Sequence, residues 1–337
     1  MKFDVSIMGT ALENIGEKAK ELSETGVDGI FSAEGPHDVF APLYLAAAIC
    51  PNLNSMTNAA IGFPRNPIHL AHSAFDLQRL TKGNFRLGIA PQVSAHIERR
   101  FGLEWSSPVE RMGDLIEALH AIFATWQNGD ALNHEGPYYK HTLMTPMFSP
   151  GPLSSGPPPI LLGALGPVMT KLAAEKADGL SILPFCSEAL LRDSTWPALA
   201  EGLERAKKQR NDFEVVCGAI VGLVETEDDR QRVFDGVRAL LGFYGSTPGY
   251  RRVLASIGQE DLGPLLSQRV REGDFGSLAS LVSDQMVQEL SVVGNPREVA
   301  DELSRRFGWL ADRVAIFFPA EPSREILAQL IDELRSK

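Results

Sequence analysis

Cysteine is scarce, with only Cys50, Cys186 and Cys217 in 337 residues. Three is an odd number, and their wide separation offers none of the paired spacings of a disulfide framework or a zinc site. A reducing compartment is therefore expected. Positive charge is in deficit, with 32 Lys and Arg against 43 Asp and Glu for a formal net charge of -11. A field of that sign repels phosphate backbones and anionic lipid, so neither nucleic acid nor a membrane surface is the expected partner. A small-molecule substrate is. Long apolar runs are also missing, since the longest, Leu43 to Cys50, falls far short of the roughly 20 residues of a membrane helix. No basic segment followed by an apolar one opens the chain, and a cytoplasmic location is expected.

Two familiar fingerprints are absent as well. The first turn reads Met8-Gly9-Thr10-Ala11-Leu12 and contains no G-x-G-x-x-G, which removes the main support for a dinucleotide-binding open sheet. Neither G-x-S-x-G nor a glycosidase-type carboxylate pair occurs, so hydrolysis lacks a signature.

What is present is average globular composition, 44% apolar and 22% charged, and a regular alternation of short apolar runs with helical periods. The runs predict strands near Phe3 to Met8, Gly29 to Ala33, Ser55 to Gly62, Phe85 to Ala90, Pro159 to Gly163, Gly179 to Leu183, Phe213 to Val224 and Arg313 to Phe318. Between them, Leu12, Ile15, Ala19 and Leu22 form one stripe, and Met112, Leu115, Ile116, Leu119, Ile122, Phe123 and Trp126 form a cleaner one. Ser107 and Asn295, each followed by Pro and then by Glu three residues on, read as helix N-caps. Eight strand-helix pairs predict a (β/α)8 TIM-type barrel occupying residues 1–337 as one α/β domain. Two stretches exceed a plain connection, about 127–158 and about 244–294, and are expected as insertions at the C-terminal face.

Catalytic groups in such a barrel follow the strand ends. After the second strand come Glu34, His37 and Asp38, which equally suit a solvated turn. After the fourth come Gln92 and His96, with Arg99 and Arg100 on the same short helix, equally suited to ordinary surface charge. After the fifth, Gly163-Ala164-Leu165-Gly166-Pro167 leads into a helix whose free N–H groups could cradle an anion, although a tight connection has the same composition. His69 and His72 share a helix face without a visible third ligand, so no metal is expected. Cys186 is the only thiol placed to reach a site.

The order of these pieces carries a resemblance. Phe63-Pro64-Arg65-Asn66-Pro67, Ala71, Leu77 and Thr81-Lys82-Gly83-Asn84-Phe85-Arg86-Leu87-Gly88-Ile89 resemble a stretch of the bacterial-luciferase-like flavin and deazaflavin oxidoreductases. Pro158-Pro159-Ile160 through Pro167, with Leu172-Ala173-Ala174-Glu175-Lys176-Ala177-Asp178-Gly179, is similar to that family's fifth-strand cradle. The segments 96–101 and 138–146 resemble most a subgroup of coenzyme F420-dependent oxidoreductases.

The resemblance implies a barrel, often dimeric, that holds F420 or a flavin in its mouth and passes a hydride to or from the ring. It also implies a non-prolyl cis peptide at the end of the third strand, at Asn58-Ala59. On that basis Asn58, Ala59, Gln92, Gly163, Ala164, Leu165 and Gly166 are expected to bind the cofactor. The acid that sugar-phosphate-oxidising relatives carry falls near Val93 here, so His96 is the expected proton-transfer group, with His37 and Glu34 beside it. F420 is the expected cofactor. The alternatives are an FMN-dependent monooxygenase fed by a separate flavin reductase, and a barrel that binds a flavin-type ligand without turnover.

Overall fold

Eight parallel strands form the centre of the computed structural model, which describes residues 1–337. They are β1 (Lys2–Ser6), β2 (Gly29–Ser32), β3 (Asn54–Thr57), β4 (Phe85–Ala90), β5 (Ile160–Ala164), β6 (Gly179–Ile182), β7 (Glu214–Leu223) and β8 (Arg313–Phe317). Each pairs with the next, and β8 returns to β1 in a register running from Lys2 against Arg313 to Val5 against Ile316. The sheet is therefore a closed (β/α)8 barrel, as the alternating pattern predicts. One strand differs: the run from Ser55 to Gly62 is broken after Thr57 by a cis Asn58-Ala59 bond, and Ala60–Ile61 then pairs with the end of β4.

The surrounding helices are α1 (Ile15–Thr25), α2 (Ala41–Ile49), α3 (Pro67–Leu80), α4 (Ser94–Arg99), α5 (Pro108–Asn128), α6 (Pro167–Lys176), α7 (Trp196–Ala206), α8 (Glu227–Gly245), α9 (Arg251–Ser256), α10 (Leu262–Arg271), α11 (Asp284–Leu290), α12 (Pro296–Phe307) and α13 (Arg324–Arg335). The main core lies between these helices and the outer face of the barrel, where the predicted α5 stripe is wholly buried. A separate core of Phe31, Met56, Leu161, Val216, Ala315 and Phe317 fills the barrel interior, as strand alternation requires.

Below that interior layer the barrel floor is charged. Arg313 Nε donates to Asp4 Oδ2 at 2.7 Å, Arg86 Nε to Glu214 Oε2 at 2.5 Å, and Arg86 Nη1 to Asn54 Oδ1 at 3.2 Å. Burial pushes the Asp4 carboxyl up to about 6, against the opposing pull of Arg313.

The two expected caps diverge. Asn295 forms a full capping box with Glu298 at the start of α12. Ser107 instead adopts a left-handed backbone, φ 39°, and its side chain caps nothing, because that conformation turns it away from the first-turn amides.

The insertions take different routes. Residues 127–158 contain a small antiparallel hairpin, His134–Glu135 against Lys140–His141, fastened to α5 by Asp114. That buried carboxylate accepts from His134 Nε2 at 2.7 Å and from the Tyr138 and Tyr139 amides at 2.7 and 2.9 Å. Within residues 244–294, Val292–Gly294 pairs with the carboxyl end of β7.

Candidate active site at the barrel mouth

The cis bond places Asn58 at the inner rim of β3. Thr57 Oγ1 donates to the Gly88 carbonyl at 2.7 Å, and a Cβ on Gly88 would lie 1.9 Å from the Thr57 carbonyl oxygen, so β4 passes this point only as glycine. Across the barrel, Ser181 Oγ of β6 donates to Asn58 Oδ1 at 2.6 Å. This contact fixes the orientation of the amide and leaves Asn58 Nδ2 buried without a partner. A buried donor with no acceptor is costly, of the order of 1–3 kcal/mol, so a ligand acceptor at the mouth would satisfy it.

Arg65 organises the rim beyond β2. Its Nη1 pairs with Glu34 and donates to the Ile61 carbonyl at 3.0 Å, while its Nη2 reaches Asp38 Oδ2 at 3.0 Å. Glu34 Oε1 also accepts from the Ile61 amide at 3.0 Å. Glu34 is thus held in a fixed place, and His37 lies exposed on the same loop. After β4, Gln92 takes a left-handed backbone, φ 69°, and its side-chain oxygen accepts from the Val93 amide at 3.1 Å. His96 is exposed on α4, whose neighbouring Arg100 reaches the Gly35 carbonyl at 3.5 Å. The loops carrying Glu34 and His96 therefore meet at one rim.

At the end of β5, a Cβ on Gly163 would lie 3.0 Å from Ala90 Cβ. Gly166 caps α6 with extended backbone and no side chain, followed by Pro167, so the N–H groups of the first turn have no partner within the helix. Arg252, carried over from α9 in the 244–294 insertion, closes above this turn. Its Nη1 lies 3.0 Å from where a Cβ on Gly166 would be. Free amides beneath a guanidinium make an anion cradle.

Other candidates take structural places. Burial pushes the Cys186 thiol up to about 12, so it stays protonated and is no nucleophile. His72 packs on Trp126 with ring centroids 4.6 Å apart, and His69 is exposed; no third ligating side chain joins them. No helix is long and apolar enough to cross a membrane.

Sequence reading overlooked the partnership of Arg65 with Glu34, and also Ser181 and Arg252. For Ser181 a signal existed: it is the polar residue at an inward position of an otherwise apolar strand. The other two depend on tertiary approach.

Residues 2–313 match the luciferase-like monooxygenase family, and the chain belongs to it. An uncharacterized protein of Mycobacterium tuberculosis is 37% identical over 332 residues, 98% of this chain and 97% of that protein. The 5,10-methylenetetrahydromethanopterin reductase of Archaeoglobus fulgidus is 26% identical over 275 residues, covering 79% of this chain and 78% of its own. Among solved structures, the coenzyme F420 dependent tetrahydromethanopterin reductase of Methanopyrus kandleri has the same fold, with a TM-score of 0.83 at 18% identity over 98% of this chain and 96% of that one. The resemblance to luciferase-like flavin and deazaflavin oxidoreductases, read from the motifs, is borne out.

Proposed function

We propose that this chain is an oxidoreductase that transfers a hydride between coenzyme F420 and a small organic substrate. The observation that carries the proposal is the unpartnered Asn58 amide at the mouth, oriented by Ser181 and backed by a glycine that nothing larger can replace. The mouth suits a flat heteroaromatic ring with polar edge atoms: Ala59, Ala90 and Gly163 are small, and Asn58 supplies a free donor. Gly163, Ala164, Leu165 and Gly166, with Arg252, suit the phosphate that such a cofactor carries. A deazaflavin held there supplies hydride acceptance and donation at its ring, and the protein supplies placement and electrostatics.

The chain's own residues then divide the remaining work. Asn58 orients the ring edge, while Gln92 shapes the wall beside it. Arg65 keeps Glu34 in position at the rim. His96 exchanges a proton with substrate, with His37 as its companion, since an imidazole ring nitrogen can serve as either proton donor or proton acceptor. The expected assembly is a homodimer, and the expected location is the cytoplasm.

A second reading, an FMN-dependent monooxygenase that receives reduced flavin from a separate reductase, is favoured by the family match. Anaerobic oxidation of reduced F420, or reduction of the oxidised form, across a substrate panel tests the first. Oxygen uptake on adding reduced FMN tests the second. Turnover with F420 and no oxygen uptake with FMN is expected, and the reverse would replace the first reading with the second.

A further inference from the structure

A cavity of about 620 Å³ opens at the carboxyl ends of β1 and β8, between α1 and α8. Its inner wall is the end of the barrel itself, Ser6, Met8 and Phe317. Phe317 meets Phe31 edge-on, with ring centroids 4.6 Å apart, so this wall is continuous with the barrel interior. Leu240, Phe243 and Tyr244 of α8 form the opposite wall. That size suits a small-molecule site, and the lining is mainly apolar.

Charge decides what the cavity rejects. Its one cation, Lys18, lies 2.6 Å from Glu321 and 3.3 Å from Glu21, so it is already shared between two carboxylates and the trio is net negative. An anionic substrate would approach against that field and find no free cation. Tyr244 is the exception to the apolar lining near α8. Its hydroxyl bonds to nothing in the chain, and burial pushes the phenol up, so it remains a neutral donor.

We propose that this cavity is the substrate pocket and that it selects neutral, mainly apolar molecules bearing a carbonyl or hydroxyl oxygen, which Tyr244 binds by donating its O–H. The inference rests on the reading that the neighbouring mouth holds a redox cofactor. It adds the substrate class and a specificity-determining residue.

Calorimetry on the full chain tests it, with acetonaphthone as the neutral aryl ketone and glucose-6-phosphate as the anionic comparison. Acetonaphthone should bind. Tyr244→Phe should weaken it about tenfold, the equivalent of one lost hydrogen bond. Ala239→Trp, at an exposed position on the cavity wall, should abolish binding, with folding checked by circular dichroism. Glucose-6-phosphate should not bind. Failure of acetonaphthone to bind, unchanged affinity in Tyr244→Phe, or tighter binding of the sugar phosphate would overturn the proposal. Titration with F420 in the same samples separates the two inferences. If F420 binds and acetonaphthone does not, the pocket assignment falls and the cofactor reading survives; if acetonaphthone binds and F420 does not, the reverse holds.

Discussion

Asn58 has one amide atom fixed from across the barrel and the other left open. Its Oδ1 is held by Ser181 from a strand 123 positions away in sequence, so no local pattern announces the pair. Ser181→Ala should destabilise the protein by about 1–3 kcal/mol in denaturant unfolding, because it strands a buried acceptor, and should loosen the open amide. A loss below about 0.5 kcal/mol would show that Asn58 is held in some other way. Asp4 gives a residue-scale prediction with a sign. Its carboxyl is raised from 3.8 to about 6 by burial, so the folded state binds that proton more tightly than the unfolded state does. Its contribution to stability therefore grows as pH falls from about 6 toward about 4 and is lost as pH rises through about 6. Measured against Asp4→Asn, the wild type should gain stability on acidification across that window. A flat or opposite difference would contradict the assignment.

At the scale of elements, the two helix caps make a matched pair. Asn295→Ala, which removes a formed capping box, should cost about 1 kcal/mol, whereas Ser107→Gly should be neutral or stabilising because Ser107 caps nothing and sits at φ 39°. The sequence signals were alike, Asx or Ser followed by Pro and Glu, and only the chain entering α5 separates the outcomes. Most strands were legible for the opposite reason: β2, β5, β6, β7 and β8 are short, mainly apolar runs, and that pattern suits a parallel barrel strand, whereas β3, Asn54-Ser55-Met56-Thr57, is polar at three of its four positions. The break in β3 was legible only through family resemblance, since the residues after it, Ala59, Ala60 and Ile61, are apolar and carry no turn signal. Arg252 was not legible at all, because its approach to Gly166 spans the whole second half of the barrel. If that guanidinium contributes to the anion cradle, Arg252→Ala should weaken F420 binding about tenfold and reduce its salt dependence, measured by fluorescence titration. Unchanged affinity at low salt would remove it from the site.

Over the whole molecule, closure of the barrel is what gathers these parts. Strand ends that are distant in sequence share one face, Val292–Gly294 extends the end of β7 on it, and a charged floor seals the other end of the interior. The alternating pattern was enough to predict that architecture, and the architecture names the face where the proposed site lies. It did not reveal which polar groups would be left open there, because that depends on cross-barrel pairing. The most direct test is a crystal structure of the chain soaked with F420. The account predicts the deazaflavin ring in the mouth with an edge acceptor within hydrogen-bond reach of Asn58 Nδ2, and the phosphate at Gly166 beneath Arg252. Cofactor bound elsewhere, or density showing Asn58 still unpartnered beside an occupied mouth, would contradict it.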